Sequence, residues 1–132
     1  MEAPRQGRTS RSHRILVVDD EAVVRGLMTA VLAGSGYCVD AAEDGAVAWE
    51  LLQAKPYDLL ITDHNMPRMT GVELVKRLRA ARMTLPVVMV AGNLPAHELA
   101  QNASVQLAAM LLKPFAVAEL MKTVTDVLQV AK

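Results

Sequence analysis

The stretch LLITDHNMP, residues 59–67, runs four strand-like residues straight into Asp63, and His64, Asn65, Met66 and Pro67 then break the strand. A buried apolar run that delivers a carboxylate to its very end has two readings. Either Asp63 caps a turn, or it does chemistry. A surface loop is the cheaper home for an unpaired Asp.

The same pattern of a short apolar run followed by a helical period recurs on both sides of this stretch. RILVVD (14–19) is a continuous apolar run of strand length, as expected of a strand buried on both faces. Apolar residues at 23, 24, 27, 28, 31 and 32 follow at helical spacing, and GSG (34–36) stops that helix. YCVDAA (37–42) reads as a second strand, and GAVAWELLQAK (45–55) as a helix ending before Pro56. DLLITD (58–63) is the third strand and GVELVKRLRAAR (71–82) a helix with a basic outer face. LPVVMVAG (85–92) and AAMLL (108–112) are strands four and five, with only a weak helical signal at 95–102 between them. Residues 116–131 form the last helix. Strands alternating with helices imply an α/β doubly wound domain, a parallel sheet with helices on both faces.

Composition bounds the function. With 132 residues the chain is expected to form one domain. Hydrophobic residues make up 52% and aromatics 3%, so Leu, Val, Ala and Met must build the core. A formal net charge of zero gives no reason to expect nucleic acid or a membrane as partner. Cys38 stands alone, which excludes an internal disulfide framework and makes the cytoplasm the expected compartment. It is expected to be an inert buried thiol in the second strand. The N-terminus has Arg residues without an apolar core segment, so residues 1–13 read as a disordered, mildly basic tail rather than a secretory signal.

In a sheet of this kind ligands bind beyond the carboxyl ends of the strands. Strand one ends in Asp19 and Asp20, with Glu21 next; strand three ends in Asp63; strand five ends in Lys113-Pro114. Each has a plain structural reading, with Asp20 as a helix cap and Pro114 as a helix-starting proline. Together they gather three carboxylates and one ammonium at one edge. Clustered carboxylates raise one another's pKa unless a cation neutralises them, and a hard divalent ion such as Mg²⁺ fits an all-oxygen site. Asp63 is then the candidate nucleophile toward phosphorus, and Lys113 the candidate partner of the phosphoryl oxygens.

These motifs resemble the receiver domain of two-component response regulators over residues 14–131. The likeness rests on the acidic pair Asp19-Asp20, the D-x-x-M-P of Asp63 to Pro67, Gly71 at the start of the third helix, and Lys113-Pro114-Phe115. It implies a flavodoxin-like sheet of order 2-1-3-4-5 and Asp63 as the phosphoacceptor, modified to an aspartyl phosphate. The donor would be a sensor histidine kinase or a histidine phosphotransfer protein, and the output a downstream protein that the sequence does not name. It also implies Mg²⁺ held by Asp20, Asp63 and the backbone carbonyl of Asn65, Asp19 holding metal-bound water, and a cis peptide before Pro114. On this reading the chain is a signalling domain and not an enzyme. A dehalogenase-type phosphatase would need Asp-x-Asp followed by Gly-Thr or Gly-Val, where this chain has Asp19-Asp20-Glu21-Ala22. A stand-alone regulator and a receiver within a larger protein both fit.

Two positions depart from the family pattern. Ala91 stands where a Ser or Thr follows strand four, and Met110 where an aromatic precedes the Lys by three. These switch positions leave a second reading open, a receiver-shaped scaffold whose partner binding ignores phosphate. His64 is expected to project from its loop into solvent.

Overall fold

A computed structural model of the protein describes residues 13–130. Five parallel strands form one sheet: β1 (Arg14–Val18), β2 (Cys38–Ala42), β3 (Leu59–Asp63), β4 (Val87–Ala91) and β5 (Ala109–Leu112). Their spatial order is 2-1-3-4-5, as expected. The connecting helices are α1 (Ala22–Gly34), α2 (Gly45–Ala54), α3 (Gly71–Ala80), α4 (Ala96–Gln101) and α5 (Val117–Val130). A short 3₁₀ turn, Ala103–Val105, which the sequence periods did not indicate, joins α4 to β5. The expected tail falls outside the described residues except for His13, whose carbonyl accepts the Cys38 N–H at 2.9 Å.

The continuous apolar runs are explained by parity. Successive strand side chains point to opposite faces, so a strand covered on both faces needs apolar residues at every position. Ile15 and Val17 of β1, Leu59 and Ile61 of β3, and Val88 and Val90 of β4 pack with Met28 and Leu32 of α1 and Leu120 and Val124 of α5. Leu16, Val18, Leu60, Val87 and Met89 pack on the other face with Ala48 and Leu52 of α2 and Leu74, Val75 and Leu78 of α3. Every residue of β3 and β4 is buried. The edge strands are not. Cys38, at the start of edge strand β2, is exposed, which corrects the expectation of a buried thiol.

Local chemistry fixes where the helices begin. Asp44 caps α2 by accepting the Val47 N–H at 2.8 Å. Thr70 and Glu73 form a reciprocal capping box on α3. α1 starts after Glu21, not after Asp20, and no side chain caps it. α4 is also uncapped and buries none of its residues. Among the described residues no helix is long and apolar enough to cross a membrane.

Candidate functional site

Parallel strands bring their carboxyl ends to one edge, and the acidic residues meet there. β1 lies between β2 and β3, so Asp19 leaves the sheet beside Asp63. Carboxylate oxygens of Asp19, Asp20 and Asp63 all lie within 4.8 Å of one another. Asp19 is fully buried, Asp63 is 2% exposed, and Asp20 faces solvent. The pocket is thus closed at its floor and open at its rim.

Asp19 is tightly placed. Its Oδ1 accepts the Glu21 N–H at 2.9 Å, and its carbonyl accepts from the Arg25 guanidinium at 2.8 Å. Asp63 is held by its backbone instead. Its carbonyl accepts the Thr62 hydroxyl at 3.0 Å, and the next N–H, that of His64, donates to Val90 at 2.8 Å. The Asp63 side chain is left short of partners. Its Oδ1 is buried and makes no hydrogen bond. Burial pushes the Asp63 carboxyl above its ordinary range, the charge of Asp19 pushes the same way, and Lys113 opposes both.

Lys113 follows β5, and its peptide bond to Pro114 is cis. Its backbone N–H donates to Ala91 at 2.8 Å, which locks the end of β5 to the end of β4. The ammonium donates to Glu21 Oε1 at 3.2 Å and Asp19 Oδ2 at 3.4 Å. It lies 3.5 Å from Asp63 Oδ1, close enough for an ion pair but not aligned as a hydrogen bond. Burial works against the charged amine, and Asp19, Asp63 and Glu21 outweigh it, so its pKa is raised. Lys113 therefore stays an ammonium at neutral pH.

A buried carboxylate oxygen with no partner, two further carboxylates beside it and no thiol or imidazole in the group fit a hard divalent cation. Asn65 lies at the exposed rim, where its side-chain oxygen takes the Gly92 N–H at 3.5 Å. Ala91 is fully buried at the end of β4, and Met110 is half buried against the core on the α3 side.

His64 is a correction. It is 5% exposed, and its ring bonds the Val72 N–H on one side and Glu98 of α4 on the other. Strand alternation carries it to the face opposite Asp63, and helices cover that face. The roles of Glu21 and Glu98 were also invisible to sequence patterns, because each acts on a residue far along the chain.

The family model for the response regulator receiver domain matches residues 15–125. The chain is 38% identical to the sensor protein EvgS of Escherichia coli strain K12 over 117 residues, which are 89% of this chain but 10% of that protein. It superposes on the chemotaxis response regulator CheY4 of Vibrio cholerae with a TM-score of 0.82 and 32% identity, covering 89% of this chain and 99% of the other. The response regulator protein TrrA of Thermotoga maritima, solved in complex with Mg²⁺-BeF, gives a TM-score of 0.76 and 30% identity, covering 87% and 98%.

Proposed function

The chain belongs to the response regulator receiver domain family, signalling domains of two-component systems, and on that premise we propose that Asp63 accepts a phosphoryl group from phosphohistidine. The donor is a sensor histidine kinase or a histidine phosphotransfer protein, and the modified domain signals from the cytoplasm by binding a downstream protein. The observation that carries this reading is the unpaired, buried Oδ1 of Asp63, 3.5 Å from the Lys113 ammonium. A carboxylate without hydrogen bonds keeps its lone pairs available for attack.

An Asp63 oxygen forms the new bond to phosphorus as the phosphorus–nitrogen bond of the donor breaks. The departing ring, protonated at its other nitrogen, keeps the bonding pair and leaves as neutral imidazole. Lys113 neutralises charge that builds on the phosphoryl oxygens. Asp19, Asp20, Asp63 and the backbone carbonyl of Asn65 would hold Mg²⁺. When bound, Mg²⁺ supplies the positive charge that lets the clustered carboxylates ionise together and receives phosphoryl oxygens. Arg25 and the Glu21 N–H keep Asp19 in place beside Asp63.

Intact-mass measurement after incubation with acetyl phosphate and Mg²⁺ tests the reading. One base-labile phosphoryl group is expected, and Asp63→Asn should abolish it because an amide is a far poorer nucleophile. Lys113→Ala should slow or uncouple the modification. Labelling at full rate in Asp63→Asn would remove Asp63 from the role. The second reading, partner binding that ignores phosphate, draws on Ala91, whose methyl offers no hydrogen bond at the end of β4. It takes over if the unsubstituted protein acquires no phosphoryl group.

A further inference from the structure

His64 follows the proposed nucleophile directly, and it is fixed on every side. Its N–H donates to Val90 at 2.8 Å, and its carbonyl accepts the N–H groups of Met66 and Gly71, each at 3.0 Å. The ring Nδ1 accepts the Val72 N–H at 3.4 Å, which leaves Nε2 to carry the ring proton. Nε2 therefore donates to Glu98 Oε1, 3.1 Å away. Buried and tied to both β4 and α3, His64 is a stationary post.

α4 is its opposite. It has six residues, no side-chain cap and no buried residue. Leu99 rests partly against the core, and the bond from Glu98 to His64 is a charge-assisted one. So short a helix has little intrinsic stability, so its position depends on these few contacts.

The segment that leads into α4, residues 92–95, starts at the rim of the acidic pocket. Asp63 pairs with Val90, and the chain turns away after Ala91. The Ala91 methyl and the Met110 thioether offer no proton to a phosphoryl oxygen. The Gly92 N–H does, and its present bond to Asn65 is long at 3.5 Å. A phosphoryl group would bring roughly two negative charges and strong acceptor oxygens to Asp63. Drawing the Gly92 N–H toward them moves residues 92–95, and α4 moves with them because it begins at Ala96. His64 does not move.

We propose that the His64–Glu98 hydrogen bond is the latch that holds α4 in its unphosphorylated position, and that phosphorylation of Asp63 opens it. The latch rests on the reading of Asp63 as phosphoacceptor. It gives the charge added at residue 63 a route to α4 that needs neither a hydroxyl at Ala91 nor a ring at Met110. The equilibrium shifts only by the difference between the two states, which here is one bond kept or lost.

Hydrogen exchange of the amides at 96–101, with and without acetyl phosphate and Mg²⁺, tests the latch, with intact mass read on the same samples. In the unsubstituted protein, modification should speed exchange across α4 by roughly fivefold or more, as expected for loss of one partly exposed charged hydrogen bond. Glu98→Ala should show that fast exchange before modification and change little after it. Glu98→Gln, whose amide oxygen still accepts from Nε2, should behave like the unsubstituted protein. If α4 in Glu98→Ala stays as protected as before, or keeps its full response to phosphate at normal labelling, the latch is wrong. If the unsubstituted protein gains no phosphoryl mass, the phosphoacceptor reading fails and takes the latch with it.

Discussion

A Cβ placed on Gly71 would lie 2.6 Å from the carbonyl oxygen of Asp63 and 2.9 Å from the Cα of His64. The first residue of α3 therefore packs directly on the backbone that carries the candidate nucleophile, and its N–H bonds the His64 carbonyl at 3.0 Å. Glycine is required here by close approach, since the contacts are backbone atoms that cannot rotate away.

Gly71→Ala should accordingly push β3 and α3 apart at the site. A cost of about 1–3 kcal/mol is expected for overpacking at a buried position. Denaturant midpoints should fall by that amount, and labelling of Asp63 by acetyl phosphate should slow in the folded variant. A variant with unchanged midpoint and rate would show that the loop yields without penalty.

Asp63 should make the fold less stable at neutral pH in the absence of divalent cations. Its carboxyl titrates higher in the folded chain than in the unfolded one, first because it is buried and then because Asp19 is close. Such a group favours the fold below its unfolded pKa, and that contribution is lost as pH rises through the folded value. Asp63→Asn should thus raise the melting temperature at pH 7 by a few degrees, the shift of roughly 1 kcal/mol in a domain of this size. The gain should vanish below about pH 4, where the unfolded carboxyl is protonated as well. A gain independent of pH would point to some other cause.

Mg²⁺ should stabilise the unsubstituted protein and reverse that ranking, because the same three carboxylates then face a cation. Binding at roughly sub-millimolar to millimolar affinity is expected from a site with few protein ligands. Asp20 is exposed, so Asp20→Asn should weaken binding about tenfold, near 1.4 kcal/mol, and leave metal-free stability nearly unchanged. Chemical-shift titration reads this. Trp49 is a poor reporter, since it sits in α2 with the Arg77 guanidinium 5.4 Å over its ring. Unchanged Mg²⁺ affinity in Asp20→Asn would refute the acidic-pocket assignment.

Arg79 should matter more to the fold than its place on a helix surface suggests. Its guanidinium donates to the carbonyls of Met83 and Leu85 at 2.9 Å each, Val105 at 3.0 Å and Gln106 at 3.3 Å. It thereby serves the irregular backbone before β4 and before β5, where Gln106 is left-handed at φ 48°. Arg79→Ala should destabilise by about 1–3 kcal/mol, and Arg79→Lys should recover only part of it because one ammonium cannot span the fork. Full recovery by Lys would mean that charge alone matters.

Much of the fold was legible because buried parallel strands leave a strong local mark. RILVV, LLITD and VVMVA are apolar at nearly every position, and the helical period returns between them. The site was legible for the same reason. Asp19, Asp20, Asp63 and Lys113 stand at strand ends, and a parallel sheet carries all strand ends to one edge. Ends of elements were less sharp. β4 spans Val87–Ala91 where 85–92 was expected, since ladder bonds rather than composition decide where pairing stops.

The remaining features belong to the tertiary structure. Period two assigns His64 to the face opposite Asp63, but whether that face meets water or helices depends on where α3 and α4 pack. The same logic exposes Cys38, whose strand is apolar enough for a core yet lies at the sheet edge. The pairing of Glu21 with Lys113, of His64 with Glu98 and of Arg79 with four carbonyls joins residues between 4 and 92 positions apart. Sequence patterns are set by each residue's own element and its burial. Hydrogen bonds between side chains of separate elements leave no period behind, so only the packed chain decides them.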